Sequence, residues 1–141
     1  MHSVSFEFEE LRFSGEKLLS ELNTKFEQSL DYNAQTVTWL DDYISKIRDS
    51  LPEERIEELG RSIGYIIGQS IIVEYGGSWQ FNHEFNQWVV NIGKPVGIAN
   101  PIGKASKYLV DYLDSVDSFF QVIKMVKEKG DWNIGRKGNE S

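Results

Sequence analysis

Few residues in this chain could do chemistry. There are two histidines, His2 and His83, and no cysteine. A zinc-binding helix needs a second histidine four residues after the first; position 87 is Gln, so His83-Glu84 lacks that spacing. A serine–histidine–carboxylate triad could draw only on His83, and no serine stands in a strand-to-helix elbow. Absence of Cys removes a thiolate nucleophile and any disulfide. Carboxylates pair as Asp41-Asp42 and as Glu53-Glu54 with Glu57-Glu58. Glycosidase-type acid–base work needs two carboxyls facing one cleft, whereas a helix dipole accounts for acids gathered at a helix start. The stretch Gly93 to Lys104 is glycine-rich and ends at a helix start, but fits neither GxxxxGK[ST] nor GxGxxG because Ala105 follows Gly103-Lys104. The expectation is therefore no enzyme, no cofactor and no metal. Any small anion would be held by the amides near Asn100, with Lys104 and Lys107 beside them.

The elements that would position these residues can be read from periodicity. Val4, Phe6 and Phe8 alternate with Ser5 and Glu7, which predicts a half-buried strand over 4–8. After Gly15 a helix is expected from about Glu16 to Leu30. Asp31-Tyr32-Asn33 can cap the next, from about Ala34 to Asp49, with Val37, Leu40, Ile44 and Ile47 as its core stripe and Trp39 on the other side. Ser50-Leu51-Pro52-Glu53 reads as a helix start with Ser50 as N-cap. That helix is expected to run to Glu74.

Gly60, Gly64 and Gly68 stand four apart within it, on the stripe of Ile56, Ile63, Ile67 and Ile71, with Glu58, Arg61, Ser62, Tyr65 and Gln69 opposite. Each interior glycine costs a helix roughly 1 kcal/mol relative to alanine. The compensation is close approach, so another element is expected to cross this helix along the glycines. Short β-like runs follow at Ser78–Phe81, Gln87–Ile92 and Val96–Ala99, then a helix opened by Asn100-Pro101 and a last one after Asp114-Ser115. From Gly130 the chain is polar and glycine-rich and is expected to form a flexible tail over 130–141.

The composition, 40% apolar and 26% charged with four Trp, six Tyr and eight Phe, is that of a globular domain. The longest uncharged part of the glycine helix, Ser62 to Val73, is 12 residues, short of the about 20 that span a membrane. The first residues lack a basic stretch followed by an apolar run, so no secretory signal is expected and the location expected is cytoplasmic. The net charge of −7 is uneven: residues 1–100 hold 16 acids against 8 bases, residues 101–141 hold 6 against 7. An acidic body argues against nucleic-acid binding, which needs Lys and Arg at phosphates, and suits a basic partner.

The stretch from Trp39-Leu40-Asp41 through Leu59-Gly60 with Gly64 and Gly68, Gly76-Gly77-Ser78-Trp79, Asn100-Pro101 with Lys104 and Lys107, to Asp114-Ser115-Val116-Asp117-Ser118-Phe119-Phe120 resembles a family of small bacterial domains of unknown function. The resemblance covers about 39–120 and implies a bacterial α+β single domain, with no catalytic residues to carry over.

Taken together, the expected fold is α+β: one compact domain over 1–129, with a strand–helix extension at 1–33 and a core at 34–129. Four or five helices pack on a three- or four-stranded antiparallel meander. The expected function is non-catalytic protein binding, in which Trp39, Asp41, Asp42, Glu53, Glu54, Glu57 and Glu58 engage a basic protein. An immunity-type inhibitor of a basic toxin or nuclease is one form. The alternative is a small-ligand or enzymatic pocket at the Asn100-Pro101 helix start. Trp79, Phe81, Phe85 and Trp88 crowd one hairpin and can serve either core or interface, and self-association through surplus aromatics is a further option.

Overall fold

Phe8, Leu11, Gly15, Leu18, Leu19 and Leu22 recur at three- and four-residue steps, the period of a helix stripe. That period wins over the five-residue alternation at the N-terminal end. The computed structural model describes residues 4–111 and 115–140, and its first element is a helix, α1 (Val4–Phe26), in place of the strand expected over 4–8. It passes straight through Gly15 and stops at Phe26, four residues before the expected end. Glu27 there turns into the left-handed region at φ 52°. The side chain of Asn23 then holds the loop, accepting from Leu30 N at 2.7 Å and donating to Leu30 O at 3.0 Å.

Helix α2 (Ala34–Ile47) is capped by Asn33, whose Oδ1 accepts from Thr36 N at 2.9 Å, and it buries Val37, Leu40 and Ile44. A 3-10 turn, Arg48–Ser50, takes the place of its expected last residues. Helix α3 (Glu53–Tyr75) starts two residues later than a Ser50 cap would have it. Pro52 pushes Leu51 to an extended backbone (φ −80°, ψ 122°) and itself takes the N-cap position. The Ser50 hydroxyl turns back to Ile47 O at 3.3 Å. At the other end Gly76, at φ 83°, closes the helix with its N–H on Ile72 O at 2.8 Å.

Strands β1 (Ser78–Asn82), β2 (Gln87–Gly93) and β3 (Gly97–Ala99) form an antiparallel sheet in that order. Trp79 stands opposite Val90 and Phe81 opposite Trp88, so these four share one face. Asn100 caps α4 (Pro101–Val110), with Oδ1 accepting from Gly103 N at 3.0 Å. Ser115 starts α5 (Val116–Glu140), its hydroxyl accepting from Ser118 N at 3.0 Å. This helix continues past Gly130, where the composition suggests a loose tail; glycine weakens a helix without forbidding it, and no proline interrupts 116–140. By spacing, Tyr112 continues the Ala105, Tyr108 and Leu109 stripe and Asp114 precedes the last helix; both lie outside the described residues.

The architecture is α+β: among the described residues, five α-helices and one three-stranded sheet. Helix α3 is central, with α4 lying along its glycines. A Cβ on Gly60 would stand 3.1 Å from Ser106 Cα, one on Gly64 2.8 Å from Ile102 N, and one on Gly68 3.1 Å from Pro101 Cγ. The expectation of a closely crossed central helix holds. What periodicity alone misplaces is the opposite side of α3. Ser62 and Tyr65 are buried, because α1 runs antiparallel along them: the Ser14 and Ser62 hydroxyls hydrogen-bond, and the Tyr65 ring lies on Gly15. The N-terminal segment is thus part of the domain core, with Leu11, Leu19 and Leu22 buried.

Candidate functional site

The residues expected to form an acidic, Trp-containing face have several different environments. Trp39 stacks on Tyr43 (5.4 Å between centroids, 14° between planes) and meets Phe26 edge-on at 5.5 Å, forming a half-buried aromatic trio between α1 and α2. Asp41 turns inward: Oδ1 accepts from the Tyr108 hydroxyl and Oδ2 from Asp117 N, both at 2.9 Å. One carboxylate thereby ties α2 to α4 and to the first turn of α5, where the helix dipole favours it. Asp42 is exposed and pairs with Lys46 at 2.8 Å. Glu53 and Glu54 sit exposed in the first turn of α3. Glu57 pairs with Arg61 at 2.9 Å, and Glu58 lines a groove between α1 and α3 together with Lys17, Glu21 and Arg55.

The alternative site at the start of α4 is largely spent on folding. Asn100 takes Gly103 N with its side chain and Lys104 N with its carbonyl, at 3.0 and 3.1 Å, so two of the amides an anion would use are already bonded. The Lys104 ammonium lies 5.7 Å from the Phe119 ring, and Lys107 is exposed further along the helix. His83 is exposed in the hairpin turn, edge-on to Phe81 at 5.0 Å. Among the described residues, no group of three or more His, Asp or Glu is placed to hold a metal ion. No described helix is long and apolar enough to cross a membrane.

The hairpin aromatics divide between core and surface. Trp79 stacks on Tyr65 (5.6 Å, 5°), lies over Gly68 and donates Nε1–H to Gln69 Oε1 at 3.1 Å. It anchors the sheet on α3. The Tyr65 phenol beneath it is pushed up to about 12, first by burial and then by Tyr32 and Glu16. Phe85 is exposed at the turn.

Trp88 differs from both. Its ring stands edge-on to Phe8 (5.0 Å, 60°) and to Phe81 (5.7 Å, 84°), and its indole Nε1 is buried without a hydrogen-bond partner. Trp88 and Phe81 line a cleft of about 310 Å³ between α1 and the hairpin, with Leu11, Glu7, Glu10 and Arg61 on its other sides. A second hollow of about 280 Å³ adjoins it over Phe8, Glu9, Trp79 and Trp88. Arg61, which lines the cleft, pairs with Glu57, and Arg12 pairs with Glu9 and Glu16. Among the described residues, Glu7 and Glu10 form no ion pair.

This cleft escapes a strand reading of residues 4–8, which leaves Glu10 outside the element and fixes no relation between it and Glu7. On a helix the two lie one turn apart on one face, and that 7/10 spacing was the available signal. Compared with protein-family models, with curated proteins and with solved structures, the chain matches none.

Proposed function

We propose that this chain is a non-catalytic protein-binding domain whose partner is basic. The observation that carries the reading is the meeting of two carboxylates, Glu7 and Glu10, with the Phe81 and Trp88 rings around one cleft, where Arg61 supplies a single opposing charge. Aromatic side chains bury a large area at low entropic cost and dominate the energetics of interfaces. The exposed carboxylates of α1 and, further along the surface, of the α3 start (Glu53, Glu54, Glu58) add negative potential that would steer a cationic surface. One form of such a domain is an immunity-type inhibitor, in which carboxylates occupy the place of phosphates on a basic toxin or nuclease. Asp41 is excluded from the binding set, since both its oxygens are engaged inside the fold.

Calorimetric titration with a synthetic arginine-rich peptide, against its glutamate counterpart, tests the reading. Binding of the first alone, weakening as salt rises, is expected. Each exposed charge pair contributes roughly 0.2–1 kcal/mol, so converting Glu53, Glu54 and Glu58 to Gln should weaken it measurably and flatten the salt dependence. Equal behaviour of the two peptides overturns the proposal.

A further inference from the structure

We propose that the outer edge of β1 is an interface at which a second copy of this chain pairs strand to strand, joining two three-stranded sheets into one of six. The pairing goes beyond the basic-partner reading and is independent of it, since it uses neither the acidic helices nor the cleft.

The two edges of the sheet differ. β3 is three residues long, comes just after Lys94-Pro95, and its register against β2 is irregular between Asn91 and Gly93. Short length, charge, proline and irregular register are the devices by which sheet edges resist pairing. β1 has none of them. Ser78-Trp79-Gln80-Phe81-Asn82 keeps an unbroken five-residue register with β2 and contains no charge, proline or glycine. Among the described residues, nothing bonds to the backbone N–H and C=O groups of β1 that point away from β2. Such a row of open donors and acceptors is completed by another strand.

Charge selects the occupant. From Tyr75 to Gly103 the only charged residues are Glu84 and Lys94, one of each sign and both in turns, on a chain of net charge −7. Two copies repel across most of their surface, but along β1 no like charges face each other between the strands. A cationic partner finds no carboxylate on this strand. The side chains also suit their own kind: Ser78, Gln80 and Asn82 share the face turned away from Trp79 and Phe81, and each carries both a donor and an acceptor. Antiparallel pairing about a twofold axis uses the same edge of both copies and closes. The blunted β3 edges then stop further growth. Five residues at about 3.4 Å each give a junction of about 17 Å, the scale of a weak, concentration-dependent dimer.

Sedimentation of the whole chain over a concentration series, with hydrogen exchange of the β1 amides, tests the pairing. A monomer–dimer equilibrium is expected, with exchange in β1 slowing as the dimer forms. Ser78→Lys and Gln80→Lys place like charges at the junction and should each weaken dimerisation by about fivefold or more. Gln80→Thr keeps a neutral strand former and should dimerise as the native chain does. Ser78 is exposed, so its variant keeps the test decisive even if Gln80→Lys disturbs the hairpin. A chain still monomeric at about 1 mM overturns the pairing. So does a dimer that forms equally in both lysine variants with β1 exchange unchanged, which puts the contact elsewhere. Protection of β1 in the monomer on adding the arginine-rich peptide would give the edge to the basic partner and overturn the second copy as its occupant.

Discussion

Gly64 and Ile102 touch backbone to backbone: a methyl group on Gly64 would stand 2.8 Å from the Ile102 amide nitrogen and closer still to its Cα. Neither atom belongs to a side chain that can rotate away, so α4 itself would have to lift from α3. Overpacking costs roughly 1–3 kcal/mol, occasionally more, and removing a helix glycine returns about 1 kcal/mol. Gly64→Ala should therefore lose up to about 2 kcal/mol net in urea unfolding. Gly60→Ala meets mainly the Ser106 side chain, with Ser106 Cα at 3.1 Å, and should lose less. Equal losses at the two positions would contradict the close α3–α4 crossing.

Asp41 reads as a surface acid and acts as an internal tie. Asp41→Ala takes away the acceptor of the Tyr108 hydroxyl, on a residue 5% exposed, leaving it with Arg48 alone, and frees the Asp117 amide. An orphaned buried polar group costs about 1–3 kcal/mol, so stability should fall by that order. Asp41→Asn keeps one acceptor oxygen and should fall by less. Thermal unfolding of the two variants checks the order.

Helix α1 can be tested at Phe13, which is 68% exposed in its interior. Phe13→Pro removes a helical hydrogen bond and clashes with the preceding turn, at a cost of about 3 kcal/mol. Phe13→Ser at the same exposed position should change stability by less than about 1 kcal/mol. If the proline is tolerated as well as the serine, the segment is not a helix.

The Tyr65 phenol gives the fold an alkaline limit. It titrates near about 10 in an unfolded chain and at about 12 in the folded one, where burial comes first among the causes. Between those values the unfolded chain has released the proton and the folded one has not. Its contribution is fully present below pH about 10 and is lost as pH rises toward about 12. The urea midpoint should fall across that window, and Tyr65→Phe should show a shallower fall. An identical decline in both would assign the limit elsewhere.

The pieces of this fold that short spacing controls were legible without coordinates. Asn33 and Asn100 cap the helices they precede, Gly76 stops α3, and the hairpin strands begin at Ser78 and Gln87 as alternation predicts. Where two local signals competed, the reading could go astray. Val4, Phe6 and Phe8 alternate, but the leucine stripe continuing to Leu22 makes the same segment helical. Ser50 resembles a cap until the restraint of Pro52 on Leu51 is counted.

The candidate site shows the same division at longer range. The residue type and helical position of Trp39, Asp41 and the α3 glutamates are visible in one dimension. Asp41 turned out to face Tyr108, 67 residues away. Glu7 and Glu10 acquired interest only when α1 brought them to Phe81 and Trp88. By itself the sequence determined the helix caps, the hairpin and the need for close packing along Gly60, Gly64 and Gly68, because each depends on residues within a turn or two. Only the tertiary structure decided that Tyr65 is buried, that Asp41 is a tie and that an acidic aromatic cleft exists. Those properties come from surfaces far apart in the chain, which meet only when α1 and α4 close on α3.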